Sequence, residues 1–235
     1  MINYAHRGAS EYAPENTLSS FYLGLLQGAN GIETDVQLTG DGHPVLFHDD
    51  TLDRVTNGTG PLANRTLAEL RQLKVCENKA TGFYDTIPTY QEFLEHFSRY
   101  DIRFAIELKG AGCESQVLAL SRKFGILERT TFTSFSFDYI QKMKELCPSA
   151  RVGWLVHDPT EEQIAALMAI GGEEIAPKAE HITAEKIALW RRRNLGVRAW
   201  GVKDTSLMEQ MCALGIDGMT VNFPDRLYQF LNCSK

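Results

Sequence analysis

The sequence has no GxGxxG, no CxxC and no long apolar run, and each absence closes off a class of function. Without a glycine-rich turn after the first strand-like run, a dinucleotide-binding α/β sheet has no support. The five cysteines, Cys76, Cys113, Cys147, Cys212 and Cys233, are odd in number and none is spaced as a CxxC pair. A cysteine zinc site or a disulfide framework is therefore not expected. Reduced thiols in a cytoplasmic protein are. No apolar stretch approaches membrane-spanning length, so no integral membrane segment is expected. Strand-like residues begin at Ile2, which leaves no room for a signal peptide. Basic residues are also outnumbered: 24 Lys and Arg face 30 Asp and Glu, a net charge of −6. That balance argues against a nucleic-acid partner, and it obliges any anionic substrate to find a local basic cluster.

What is present is an alternation. Strand-like runs at 2–6, 31–37, 44–47, 102–108, 130–134, 151–156, 173–176, 197–202 and 216–221 are separated by amphipathic segments. The latter lie at 15–28, 89–99, 113–125, 136–146, 160–170, 183–193 and 204–213, and a last one at 225–232 closes the chain. Strand–helix repeats imply parallel strands with right-handed crossovers. About eight of them in 235 residues fit one closed (β/α)8 barrel better than an open sheet. One stretch, about 49–88, breaks the rhythm. It is polar and rich in Gly, Asn, Thr and Asp, with one short helix at 66–73 capped by Thr66. It reads as a small insertion after the second strand, either a lid over the site or a plain surface loop.

Short polar clusters stand where buried strands end. Glu33 and Asp35 are two apart and share a strand face. Glu107 and Lys109 repeat that parity on another strand. Three carboxylates without a thiolate suit a hard divalent cation, and burying them without one would be costly. His6 and His48 each end a strand-like run beside charge, and histidine can both take and give a proton near neutral pH. Arg7 has a planar fork for phosphate, and Lys109 can neutralise developing charge; either can instead pair with the carboxylates. Glu15 and Asn16 follow Pro14, with Asn16 placed as a helix N-cap or as an amide offered to a ligand. His43, His96, His157 and His181 read as turn or surface residues. Arg191, Arg192 and Arg193 read as a solvated helix end.

The set His6-Arg7-Gly8, Pro14-Glu15-Asn16-Thr17, Glu33-Thr34-Asp35-Val36, His48-Asp49 and Glu107-Leu108-Lys109, with Trp200, Gly218 and Pro224-Asp225, resembles the glycerophosphodiester phosphodiesterase family in order and spacing. The resemblance spans the whole chain. It implies a TIM barrel with the insertion at 49–88 and a divalent metal on Glu33, Asp35 and Glu107, with Mg²⁺ or Ca²⁺ the first candidates and Mn²⁺ the third. It implies His6 and His48 as the acid–base pair, Arg7 and Lys109 on the phosphate, and Trp200 on the glycerol or leaving-group side. Two departures stand out: Trp200-Gly201-Val202-Lys203 where the family often has Trp-Thr-Val-Asn, and Val221-Asn222-Phe223 where it often has Thr-Asp. Both are expected to touch the glycerol side and the barrel closure, not the metal or the histidines.

The expected activity is hydrolysis of small-molecule glycerophosphodiesters, such as glycerophosphocholine and glycerophosphoethanolamine, to glycerol 3-phosphate and an alcohol. The nucleophile is either the substrate's vicinal hydroxyl, favoured by proximity, or a metal-activated water. The alternatives are a lysophospholipase D-like enzyme, which needs an apolar or basic membrane-facing rim, and a non-catalytic phosphate-binding barrel, which would lack a histidine or a carboxylate. The sequence allows a homo-oligomer without specifying one.

Overall fold

The computed structural model describes residues 1–76 and 84–233. Nine strands form one sheet: β1 (Ile2–His6), β2 (Gly31–Leu38), β3 (Pro44–Leu46), β4 (Arg103–Leu108), β5 (Thr130–Ser134), β6 (Arg151–Val156), β7 (Glu174–Pro177), β8 (Gly196–Val202) and β9 (Gly218–Val221). Eight of them are parallel and close into a barrel in the order β1-β9-β8-β7-β6-β5-β4-β2, with β2 pairing back onto β1. The ninth, β3, is not a barrel stave. It runs antiparallel to β2, with Val36 opposite Leu46. It was legible as a strand but not as an outer hairpin arm, since its three residues carry no mark of direction.

Helices α1 (Leu18–Leu26), α2 (Leu67–Leu70), α3 (Tyr90–Phe97), α4 (Glu114–Lys123), α5 (Phe137–Leu146), α6 (Glu161–Ala169), α7 (Ala184–Arg192), α8 (Thr205–Leu214) and α9 (Pro224–Cys233) follow in chain order. All but α2, which lies in the insertion, are crossover or closing helices of the barrel. Side-chain caps set the starts of α1, α2, α3, α6, α7 and α8. Thr66, Thr89 and Thr160 each form a reciprocal capping box with the third helical residue. The cap of α1 is Thr17, not Asn16. Asn16 has φ +55° and its amide is used elsewhere.

Parity divides each strand between two environments. On β4, Phe104, Ile106 and Leu108 join the main apolar core with residues of the surrounding helices, among them Phe21, Phe93 and Phe97. Arg103, Ala105 and Glu107 alternate with them. The register Glu33↔Ala105 and Asp35↔Glu107 aligns the equivalent residues of β2. One side of the staves thus fastens the helices, and the other supplies polar groups at both barrel ends.

The insertion is more than a polar loop. Val45, Phe47, Leu52, Val55, Leu62, Leu70, Val75 and Ile87 form a second buried apolar cluster. These residues are scattered among glycines and polar residues, which hid the cluster from any periodic pattern. Residues 77–83 of the expected 49–88 insertion lie outside the described part. No helix among the described residues is long and apolar enough to cross a membrane.

Candidate active site

Glu33 and Asp35, midway along β2, converge with Glu107 near the C-terminal end of β4, at the barrel end where β1 finishes at His6. Each offers a carboxylate oxygen within 4.8 Å of the others, and all three are buried. Burial, with Asp35 and Glu107 as like charges, raises the Glu33 carboxyl well above its usual range. Burial, and then Asp35, raises Glu107 to about 7. Burial also pushes Asp35 upward, but Arg7, His48, Lys109 and the Asn16 amide outweigh it and hold Asp35 low. Asp35 Oδ2 accepts from Asn16 Nδ2 at 2.8 Å and lies 3.3 Å from Arg7 Nε. Its Oδ1 is buried without a hydrogen-bond partner. An orphaned carboxylate oxygen among repelling carboxylates fits a divalent cation, because the cation relieves both penalties.

The histidines flank this cluster. His6 Nε2 is 3.9 Å from Glu33 Oε2. His6 Nδ1 is 2.6 Å from Asn222 Oδ1. An amide oxygen only accepts, so the bond assigns the proton to Nδ1 and leaves Nε2 as a free acceptor. Burial, then the Arg7 cation, lowers His6 to about 4. The ring is therefore neutral at physiological pH. The Val221-Asn222-Phe223 departure thus does reach a histidine, contrary to the expectation for it. His48 lies beyond β3 on a loop tied to β2: Phe47 N–H donates to the Asp35 carbonyl, and Gln37 Nε2 donates to the carbonyls of Phe47, His48 and Asp49. Its Nδ1 is 2.6 Å from Asp49 Oδ1. The two imidazoles are thus oriented by different partners, a neutral amide and a carboxylate.

Arg54, in the insertion, ties these groups together, and sequence reasoning missed it. Its guanidinium grips Asp49 through Nε at 2.6 Å and Nη2 at 3.0 Å. It grips Glu15 through Nη1 at 2.8 Å and Nη2 at 2.7 Å. These bonds hold Asp49 down to about 2. Glu15 also accepts from Arg7 Nη1 at 3.0 Å. A continuous chain therefore runs His48–Asp49–Arg54–Glu15–Arg7–Asp35. The buried Glu15 and Asn16 face internal partners; Asn16 Oδ1 accepts from Thr34 as well. Arg54→Ala is expected to lower turnover by roughly 10–100-fold, the range typical of groups that orient catalytic ligands, with partial recovery in Arg54→Lys. Steady-state kinetics indistinguishable from wild type would remove Arg54 from this role.

Backbone conformation places Arg7. It follows β1 with φ +56° and precedes Gly8 with φ +83°. The turn aims the Arg7 N–H at Glu33 Oε2, 3.2 Å away. A Cβ on Gly8 would lie 2.3 Å from Ser20 Oγ and 2.4 Å from the Ser20 backbone carbon. Gly8→Ala is therefore expected to cost about 2 kcal/mol or more, from the positive φ and the overlap together. Urea unfolding measures it, and an unchanged midpoint would contradict the argument.

Across the mouth, Lys109 Nζ is 3.3 Å from Glu107 Oε1. Trp200 donates its indole N–H to the Val156 carbonyl at 2.9 Å. It meets the rings of Phe135 and His157 edge-on at 5.1 and 5.0 Å. His157 is exposed, as the sequence reading has it, and its ring packs beside Trp200 and Phe135 on the far side of the site. Gly201 has φ +70° beside the irregularity where β8 meets β9. His43, His96 and His181 stand apart, with Asp41, Tyr22 and Asp158 as their respective partners.

The sequence profile described as the Glycerophosphoryl diester phosphodiesterase family matches residues 6–226. The chain belongs to that family. Its chemistry as an enzyme is hydrolysis of glycerophosphodiesters. Among relatives, a glycerophosphodiester phosphodiesterase from Caldanaerobacter subterraneus subsp. tengcongensis is 31% identical over 229 residues, covering 95% of this chain and 94% of that one. A solved phosphodiesterase from Oleispira antarctica, in complex with the product sn-glycerol-3-phosphate, has 30% identity and a TM-score of 0.88 over 97% of this chain and 96% of its own. The glycerophosphodiester phosphodiesterase from Agrobacterium tumefaciens gives 28% identity and 0.84 over 96% and 97%. The expected barrel and the expected family both hold.

Proposed function

We propose that this enzyme is a divalent-metal-dependent phosphodiesterase that releases sn-glycerol 3-phosphate from small glycerophosphodiesters such as glycerophosphocholine and glycerophosphoethanolamine. The observation that carries the reading is the cluster of Glu33, Asp35 and Glu107 with an oriented imidazole on either side. Glu33, Asp35 and Glu107 would hold the cation, which when bound supplies Lewis-acid polarisation and charge neutralisation at phosphorus. Mg²⁺ or Ca²⁺ suits an all-carboxylate donor set, and Mn²⁺ shares that preference.

The two histidines take opposite roles. His6 is neutral and keeps Nε2 free, so it accepts the proton of the nucleophile. That nucleophile is either a water or the substrate's vicinal hydroxyl, whose cyclic phosphate water then opens to the monoester. His48 donates a proton to the leaving alkoxide, and Asp49 beside it balances the positive charge of the donor form. Arg7 and Lys109 place cations where the non-bridging phosphoryl oxygens gather charge. Glu15 and Asn16 serve the substrate by holding Arg7 and Asp35 in position. Trp200, Phe135 and His157 offer an apolar wall to the glycerol or the departing group.

The test is a comparison of rates on glycerophosphocholine, glycerophosphoethanolamine and lysophosphatidylcholine with the purified enzyme. The two water-soluble diesters should be turned over faster at saturation. A clear preference for the lipid would replace this reading with a lysophospholipase D-like one.

A further inference from the structure

The parity that puts carboxylates at one end of the barrel puts arginines at the other. Arg103 on β4, Arg151 on β6 and Arg198 on β8, with Arg129 just ahead of β5, line a cavity of about 260 Å³ at the N-terminal mouth. At about 30 Å³ per water molecule, it has room for a phosphate-sized ion with attendant water. None of these residues belongs to the catalytic end.

Two carboxylates also line the cavity, and both are engaged. Glu174 accepts from Arg198 Nε at 2.8 Å. Asp217 accepts the Val197 N–H at 2.8 Å and faces Arg191 at 3.4 Å. Four guanidinium groups thus meet two occupied acids in a chain whose net charge is −6. Arg198 is the telling member. It is 1% exposed, yet its one hydrogen bond among the described residues is the one to Glu174. Its Nη2 is buried with no partner at all. Its guanidinium sits 5.5 Å from the centre of the Tyr4 ring, which supports the charge without accepting from its edge. Arg129 spends its donors on the carbonyls of Ser98, Tyr100 and Ile102. The Arg151 side chain, at the rim, makes no hydrogen bond or ion pair among the described residues, and the Arg103 side chain makes only a 3.4 Å contact to the Glu128 carbonyl. A buried, under-partnered guanidinium is costly unless an acceptor completes it.

We propose that this mouth is a second anion site, taking a tetrahedral oxyanion: inorganic phosphate or the phosphate head of a monoester. Arg198 forms its floor, and Arg103 and Arg151 close over it from the rim through the forked geometry that suits phosphate. The site lies at the opposite end of the barrel from the catalytic cluster, so it binds without competing with substrate.

Calorimetric titration of the metal-loaded enzyme with sodium phosphate, at fixed ionic strength in chloride, tests the proposal. Two independent sites are expected. Lys109→Gln should weaken the catalytic one. The double variant Arg103→Gln/Arg151→Gln should weaken the other by about tenfold or more, as for loss of charged hydrogen bonds, with turnover of glycerophosphocholine unchanged. Arg198→Lys should likewise weaken the arginine-lined site, and the rim variant, whose arginines stand away from Glu33, decides the matter if that buried change fails to fold or also alters turnover. Displacement of phosphate from the arginine-dependent site by sn-glycerol 3-phosphate would identify a monoester ligand; its failure to displace would identify the free ion. A single phosphate site that depends on Lys109 alone would overturn the proposal. So would a rim variant that binds both equivalents as tightly as wild type.

Discussion

His6→Ala and His48→Ala are each expected to lower turnover by roughly 10²-fold or more, the usual worth of general acid–base catalysis. KM should change far less, because neither ring is needed to hold the phosphate charge. The two variants should also differ from each other. Loss of His48 removes the proton for the leaving group, so substrates with more acidic leaving alcohols should recover part of the rate. Loss of His6 removes the base, and no change of leaving group should rescue it. His43→Ala, at an exposed turn beside Asp41, is the control and should be nearly silent. Near wild-type turnover in either active-site variant, measured at saturating substrate, would strip that histidine of its role.

The second large effect concerns the carboxylates. Exhaustive treatment with EDTA should abolish hydrolysis, and Mg²⁺, Ca²⁺ or Mn²⁺ should restore it. Glu33→Gln and Glu107→Gln should lose activity at ordinary metal concentrations. A readout independent of catalysis follows from the raised carboxyls. Glu107 stands at about 7 against an ordinary 4.5, and Glu33 is raised as well. Between those values the metal-free native state binds more protons than the unfolded chain, so its stability falls as pH rises through the window. A bound cation removes that penalty. Added Mg²⁺ or Ca²⁺ should therefore raise the melting temperature more at pH 7.5 than at pH 5, and the difference should vanish in Glu33→Gln/Glu107→Gln. Equal shifts at both pH values, or full activity after complete removal of metal, would refute the assignment.

Much of this site was legible because barrel chemistry is written at strand ends. Glu33, Asp35 and Glu107 follow from parity on two strands, and the register Asp35↔Glu107 completes what parity implies. The groups that orient the chemistry were not legible in the same way. Asn222 meets His6 across 216 residues of sequence, and no local pattern connects them. Only the closure of β9 onto β1 does. Arg54 lies in a polar, glycine-rich stretch, and its importance depends on a small apolar cluster around Leu52, Val55 and Leu62 that holds the insertion against the barrel end. Asn16 reads from the sequence as an amide offered to a ligand or as a helix cap, a position that Asn favours. Thr17 took it, and the left-handed backbone at Asn16 freed the amide for Asp35 and Thr34.

The most direct test of the central claim is ³¹P NMR of glycerophosphocholine incubated with the metal-loaded enzyme. The account predicts that the diester resonance is replaced by that of sn-glycerol 3-phosphate, with free choline released, and that EDTA stops the conversion. Accumulation of phosphocholine and glycerol, which requires cleavage on the other side of phosphorus, would contradict it, as would a diester resonance unchanged in the presence of Mg²⁺, Ca²⁺ and Mn²⁺ alike.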